Sequence, residues 1–221
     1  MGKYYAVLFT AYIAIQWTSW LQAIVWDSDK YSESKAQAFA QNKTWKIGVG
    51  GCSAVKVQKK WIASARHCGA KNSINQDGKT YKVTKNVVHP VSDARLYRVG
   101  KKLPSGRVAP RASDLKVGDR FQKIGRGRSG QTSLSGNRGR GVGGFGIWRG
   151  GRNEVDVFWS PNRIRYIYDK NYKNEVGTDS GDSGGPATMG NYLVSTTAGS
   201  TAIYWFDVDW TRIEGWWQDY L

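Results

Sequence analysis

Residues 181–186 read Gly-Asp-Ser-Gly-Gly-Pro, and no other stretch of the 221-residue chain narrows the fold as sharply. Three glycines and a proline in six residues specify a tight turn, because Gly tolerates positive φ and Pro cannot continue a regular ladder. Ser183 sits at the centre of that turn. A serine hydroxyl is a poor nucleophile until a neighbouring base takes its proton. The chain offers two histidines as that base, His67 and His89, and both precede Ser183.

That order excludes one hydrolase architecture. The shorter pattern Gly-x-Ser-x-Gly also occurs in α/β-hydrolases, where the acid and then the histidine follow the serine. Nothing after Ser183 can serve as the histidine, so any triad here runs His, Asp, Ser. The texture of the chain agrees with a β-rich fold. Short segments of alternating or β-branched residues recur between turn signals, at 46–51, 54–57, 61–63, 81–88, 94–99, 120–124, 146–148, 155–159, 164–168, 192–197 and 202–206. The chain carries 27 Gly, 12 Tyr and 11 Trp, and 40% of it is hydrophobic, enough for a real core. Only 210–220 looks helical, with Ile213, Trp216 and Trp217 at i, i+3, i+4. The polar stretch 27–43 carries an Asn-x-Thr sequon at Asn42. Gly100 to Asp114 has a linker composition.

Upstream of the serine motif stands Ile62-Ala63-Ser64-Ala65-Arg66-His67-Cys68. Together the two motifs resemble the trypsin/chymotrypsin-like serine peptidases, whose members carry a small-residue strand ending in Ala-His-Cys and, later, Gly-Asp-Ser-Gly-Gly-Pro. The match runs from about Cys52 to the C-terminal helix. The resemblance implies an all-β fold of two antiparallel Greek-key barrels with a C-terminal α-helix. Residues 1–23 would be a signal peptide, 24–108 the barrel with His67 and Asp93, and 109–221 the barrel with Ser183. It implies a Cys52–Cys68 disulfide bracing the histidine loop, and an oxyanion hole from the backbone N–H groups of Gly181 and Ser183. His67 would be the base, since an imidazole can take and return a proton near neutral pH. Asp93, in His89-Pro90-Val91-Ser92-Asp93-Ala94, would hold the imidazole. The competing acids Asp114 and Asp119 lie where the linker meets the second barrel, and His89 reads as part of a surface turn. The 26 positions from His67 to Asp93 resemble the spacing of compact bacterial members, and the 90 from Asp93 to Ser183 suit a full second barrel.

The same resemblance outlines a substrate pocket from Gly177, Thr178, Asp179, Ser180, Ala198 and Gly199. Here the pattern departs from the family. The pocket cysteine is absent, Ala198 replaces a usual serine, and Asp179 can turn inward to favour Arg or Lys in the substrate. Cleavage after Ala23 would expose Ile24-Val25, whose new ammonium could pair with Asp182; a basic side chain could do the same. Trp26-Asp27 breaks the family's usual pattern at that point.

Lys3 followed by the apolar run 4–15 resembles a secretory leader, too short for a comfortable membrane span. The expected product is a secreted, extracellular or periplasmic, monomer acting on proteins or peptides, with no membrane span once the leader is gone. No cofactor or metal is expected. Two His and two Cys leave no ligand cluster. Gly125-x-Gly127-x-x-Gly130 matches a dinucleotide fingerprint only by letters, because no apolar helix follows. The Arg- and Gly-rich stretch 125–153 reads as surface loops between strands. The formal net charge of +16 implies loose, non-specific affinity for polyanions. It also supports an alternative, a basic binding protein on the same fold with little or no proteolysis.

Overall fold

The structure is a computed structural model and describes residues 24–26, 30–104, 106–128, 130–131, 145–168, 174–201 and 204–221. The expected leader 1–23 and residues 132–144 of the Arg- and Gly-rich stretch lie outside the described residues, as do 202–203 of the last strand candidate.

The first half holds β1 (Val25–Trp26), α1 (Glu33–Gln41), β2 (Lys46–Val49), β3 (Cys52–Gln58), β4 (Trp61–Ala65), β5 (Ser73–Gln76), β6 (Lys79–Val88) and β7 (Ala94–Val99). The second holds β8 (Ala109–Pro110), β9 (Arg120–Gly125), β10 (Gly130–Gln131), β11 (Arg149–Glu154), β12 (Val157–Ser160), β13 (Arg163–Tyr166), β14 (Pro186–Met189), β15 (Tyr192–Ser200), β16 (Trp205–Asp209) and α2 (Glu214–Gln218). A six-stranded antiparallel sheet runs β2-β3-β4-β7-β6-β5 and curls until β2 nears β5. An eight-stranded sheet runs β11-β9-β14-β15-β16-β13-β12, with β8 added beside β15. These are the two curled sheets expected.

Each sheet closes around its own apolar interior. Ile47, Ile62, Ile74, Tyr97 and Val99 fill the first, and Phe121, Ile164, Tyr166, Val194 and Trp205 the second. A third cluster joins them, with Val55, Ala63 and Leu96 meeting Ile124, Leu193, Trp210 and Trp217. Burial on this scale is the dominant favourable term in folding. The C-terminal segment is shorter in α-helix than its pattern suggested. A 3₁₀ turn, Thr211–Ile213, leads into α2, and Trp217 Nε1 donates to Trp210 O at 2.8 Å.

Three elements differ from the sequence expectation. Helix α1 falls in the stretch read as merely polar. Ser32 caps it by accepting from Lys35 N, and only Ala36 and Ala40 are fully buried, so its apolar face is too slight to show as periodicity. Strand β11 reads Arg-Gly-Gly-Arg-Asn-Glu and has no apolar residue at all. Gly150 lets α1 approach: a Cβ there would meet Lys123 O at 2.5 Å and the Phe39 ring at 3.0 Å. Tyr31 Oη donates to Gly150 O at 2.9 Å, and buried Arg149 pairs with Glu33 at 2.5 Å, so α1 is fastened to the second sheet. Of residues 146–148, expected as strand, Gly146 belongs to a turn and 147–148 follow it without joining a ladder.

Candidate active site

The ladder between β4 and β7 ends at the pair Ala65 and Ala94. Continuing one step past it, Arg66 N donates to Asp93 O at 3.1 Å. This register sets His67, on the 3₁₀ turn Arg66–Cys68, beside Asp93. His67 N donates to Asp93 Oδ1 at 2.9 Å, and His67 Nδ1 lies 2.6 Å from Asp93 Oδ2. The carboxylate thus grips both the backbone and the ring of one residue. Its side chain is 14% exposed against 44% for the imidazole, so the acid is sheltered while the ring reaches solvent.

The turn that presents Asp93 is fixed by the other histidine. His89 Nδ1 accepts from Val91 N at 3.2 Å and Ser92 N at 2.7 Å, and the ring stands edge-on to Trp216. Burial and the nearby Arg66 charge lower its pKa, which keeps Nδ1 free to accept. The competing acids are engaged elsewhere. Asp119 Oδ2 accepts from Lys116 N, and the Asp114 charge acts on Asp209. Cys52 and Cys68 form a disulfide across the base of the histidine turn. Oxidised sulfurs are not thiolate ligands, so the grouping of Cys52, Cys68 and His67 offers no metal site.

Ser183 comes from the second sheet's loop but is anchored to the first. Ser53 N donates to Ser183 O at 2.9 Å, and Ser53 Oγ donates to Gly181 O at 2.9 Å. Gly181 and Gly184 adopt φ of +92° and +74°. His67, Thr178, Asp179, Ser180, Ser183, Ala198 and Gly199 share one cleft of about 250 Å³, with Thr197 and Ser200 completing its wall. Ser200 carried no sequence signal; it lies past the strand candidate 192–197, on the end of β15. No hydrogen bond joins Ser183 to the His67 ring among the described residues, as is common before substrate tightens such contacts.

Gly177 does not reach the cleft. The space its side chain would take is filled by the Trp205 indole. Thr178 is buried, with Oγ1 at 3.4 Å from Tyr166 Oη. Asp179 forms part of the cleft wall but is only 7% exposed, and its Oδ1 accepts from Ser180 N.

Beneath the serine turn, Asp182 is fully buried. Oδ1 accepts from Gly127 N at 3.0 Å and Oδ2 from Asp179 N at 3.1 Å. Burial pushes its pKa up to about 7, against the pull of those two N–H groups. The cation that partly offsets it is Lys123, itself fully buried and paired with Asp207. Tyr166 Oη and Ser195 Oγ also donate to Asp207, at 3.0 and 2.6 Å. Burial lowers the Lys123 pKa while Asp207 pulls it back up. Nothing in the sequence marks this pair, because a lone Lys in a strand usually faces solvent. Ile24 is buried among Trp26, Tyr31, Ala36 and Val176.

No family model matches the chain, and no curated protein matches it in sequence. Solved structures do match its fold. Neuropsin, a serine protease expressed in the limbic system of mouse brain, aligns with a TM-score of 0.64 at 16% identity, covering 81% of this chain and 95% of neuropsin. Kallikrein-related peptidase 10, in complex with Zn²⁺, aligns with a TM-score of 0.59 at 17% identity, covering 80% and 95%. The chain therefore has the two-barrel fold of the trypsin-like serine proteases.

Proposed function

We propose that the chain is a serine endopeptidase working through Ser183, His67 and Asp93. The observation that carries this is the double grip of Asp93 on His67, in a cleft that Ser183 also lines. With Nδ1 engaged by the carboxylate, Nε2 is the nitrogen left to take the Ser183 proton. The freed Oγ attacks the scissile carbonyl carbon, and the negative charge moves to the carbonyl oxygen. The N–H groups of Gly181 and Ser183 would stabilise that oxyanion. His67 then returns the proton to the leaving nitrogen, the C–N bond breaks, and an acyl ester on Ser183 remains. Water, deprotonated by His67, releases the acid and restores Ser183.

The substrate walls in this reading are Thr178, Asp179, Ser180, Ala198 and Gly199. A disulfide and the trypsin-like fold are consistent with an extracellular setting. Among the described residues, no helix is long and apolar enough to cross a membrane. The test is labelling by a fluorophosphonate, which needs an activated serine. The protein is expected to label, and Ser183→Ala, His67→Ala and Asp93→Asn to lose or sharply slow it. A folded protein that labels no faster than Ser183→Ala overturns the proposal.

A further inference from the structure

The excess positive charge is not spread over the molecule. Residues 46–108, which contain the first sheet, hold fourteen Lys and Arg against two carboxylates, Asp77 and Asp93. Residues 109–221 hold fifteen against twelve. The first sheet therefore carries most of the +16, and Asp93 is already engaged with His67.

The fold gathers much of this charge at one pole. Across the β6–β7 ladder, Lys85 stands directly opposite Arg98. Val99 N donates to Lys60 O, Gly100 N to Lys82 O and Leu103 N to Lys59 O, all within 3.0 Å. These bonds bring the Lys59-Lys60 turn, Lys82 and residues 101–103 to the same end of the sheet, and Val108 N, which donates to Lys56 O at 3.0 Å, ties the residue after Arg107 to β3. Lys59, Lys60, Lys82, Lys85, Arg98, Lys101, Lys102 and Arg107 are all exposed. Among the described residues, no Lys or Arg of 46–108 makes an ion pair with a carboxylate; the Lys and Arg pairs all lie elsewhere. Like charges facing each other across a ladder are destabilising. The crowding registers on Lys56, whose pKa is lowered by burial and then by the Lys102 and Arg107 charges.

This pole is separate from the cleft. Strand β4 carries the Lys59-Lys60 turn at one end and His67 at the other, and its four steps from Trp61 to Ala65 span about 13 Å. A ligand can occupy one without covering the other.

We infer that this pole is a binding site for a linear anionic polysaccharide, recognised through its regularly spaced sulfate or carboxylate groups. The chemistry offered is dominated by Lys ammonium groups, which act as point charges rather than planar forks. Single-stranded nucleic acid is favoured by aromatic platforms on which bases stack. Among the described residues, the exposed aromatic side chains, Phe145, Trp159 and Tyr192, all lie outside residues 46–108. Trp61 and Tyr220, at the edge of the pole, are turned onto each other. What the surface presents is charge without base readout or stacking.

The test uses immobilised heparin and the full chain, and needs no proteolysis. The triple variant Lys60→Gln/Arg98→Gln/Lys101→Gln is compared with Lys116→Gln/Arg120→Gln/Arg152→Gln, which removes the same charge from the second sheet. The first is expected to lose affinity on the order of tenfold at physiological salt, with a flatter salt dependence, and the second to change little. Equal losses would mean that net charge alone acts, and would overturn the site. So would failure of the unmodified protein to bind heparin at that salt. Tighter binding to duplex DNA than to heparin at equal ionic strength would overturn the polysaccharide assignment. Both triples are expected to keep the fluorophosphonate reactivity of the parent, so loss of that reactivity in the parent bears on the proposed activity and leaves this site standing.

Discussion

The indole of Trp205 occupies the space into which a side chain on residue 177 would project: a Cβ there would stand 2.1 Å from both Cε2 and Cζ2. Trp205 is stacked on Tyr166, whose hydroxyl is tied to Asp207, so the ring has little room to swing away. Neither Gly177 nor Trp205 lines the cleft, whose wall begins at the next residue, Thr178.

On the proposed activity, the Trp205 indole packed on Gly177, next to the wall residue Thr178, is expected to keep the substrate pocket shallow and to favour a short side chain before the scissile bond. Trp205→Gly should shift preference from Ala towards long side chains, Arg and Lys included, since Asp179 forms part of the opened wall. The change in the ratio of kcat/KM values should be on the order of tenfold to a hundredfold. Peptide-library cleavage by the folded fraction checks it. An unchanged ratio would place the floor elsewhere.

Asp182 sets a pH dependence. Its folded pKa of about 7 lies above the ordinary value of 3.8. Below pH 4 the carboxyl is protonated folded or unfolded, and it contributes no difference. Between pH 4 and 7 the unfolded chain binds fewer protons, so this group makes stability fall as pH rises. The loss levels off above pH 7, at up to roughly 4 kcal/mol for a shift of about three units. Asp182→Asn should flatten that part of the profile, because the amide cannot ionise. Denaturant unfolding at pH 4.5, 6 and 8 measures it, and a variant with the parent's slope would assign the dependence to another group.

The buried pair Lys123 and Asp207 makes an asymmetric prediction. Lys123→Met strands a carboxylate in the second barrel and should cost about 3–5 kcal/mol. Replacing both, as Lys123→Met/Asp207→Leu, removes two charges and should cost clearly less than the sum of the single changes. Tyr166 and Ser195 would each lose an acceptor, so some cost remains. A double-mutant cycle gives the coupling; additive losses would show that the two charges do not depend on each other.

These buried polar groups mark the boundary of what the sequence made legible. The two barrels could be read because apolar alternation at segments such as 94–99 and 192–197 reports which face is inside. The meeting of Asp93 with His67, and the cleft that His67 shares with Ser183, could be anticipated because each residue stands in a short motif. Strand β11 could not, since its place depends on Gly150 making room for a helix more than a hundred positions earlier. Nor could Trp205 be read as a plug over Gly177, or Lys123 as the partner of Asp207. Each depends on which side chains meet across the folded barrel, and a side chain's chemistry alone does not disclose its partner.

Gly184 is where the serine loop locks onto the first sheet. Its φ is +74°, and a Cβ would meet Ser64 Oγ at 2.1 Å, Ser53 O at 2.6 Å and Ala65 N at 2.7 Å. Two of these are backbone atoms of β3 and β4, the strands that lead to and support His67. Gly184→Ala therefore adds backbone strain and forces the two sheets apart at the site. The expected cost is roughly 2–5 kcal/mol, and the Ser183 turn should move with respect to His67. Gly190→Ala is the control. That residue also has positive φ, +58°, but a Cβ there would meet nothing within 4 Å. It should lose only about 1–2 kcal/mol, from backbone strain alone. Thermal unfolding together with the rate of fluorophosphonate labelling separates the two. Gly190→Ala should keep the parent's labelling rate while folded, and Gly184→Ala should lose most of it even at temperatures where it remains folded. Equal labelling in both would mean that the contact of Gly184 with Ser53 and Ser64 does not position the nucleophile.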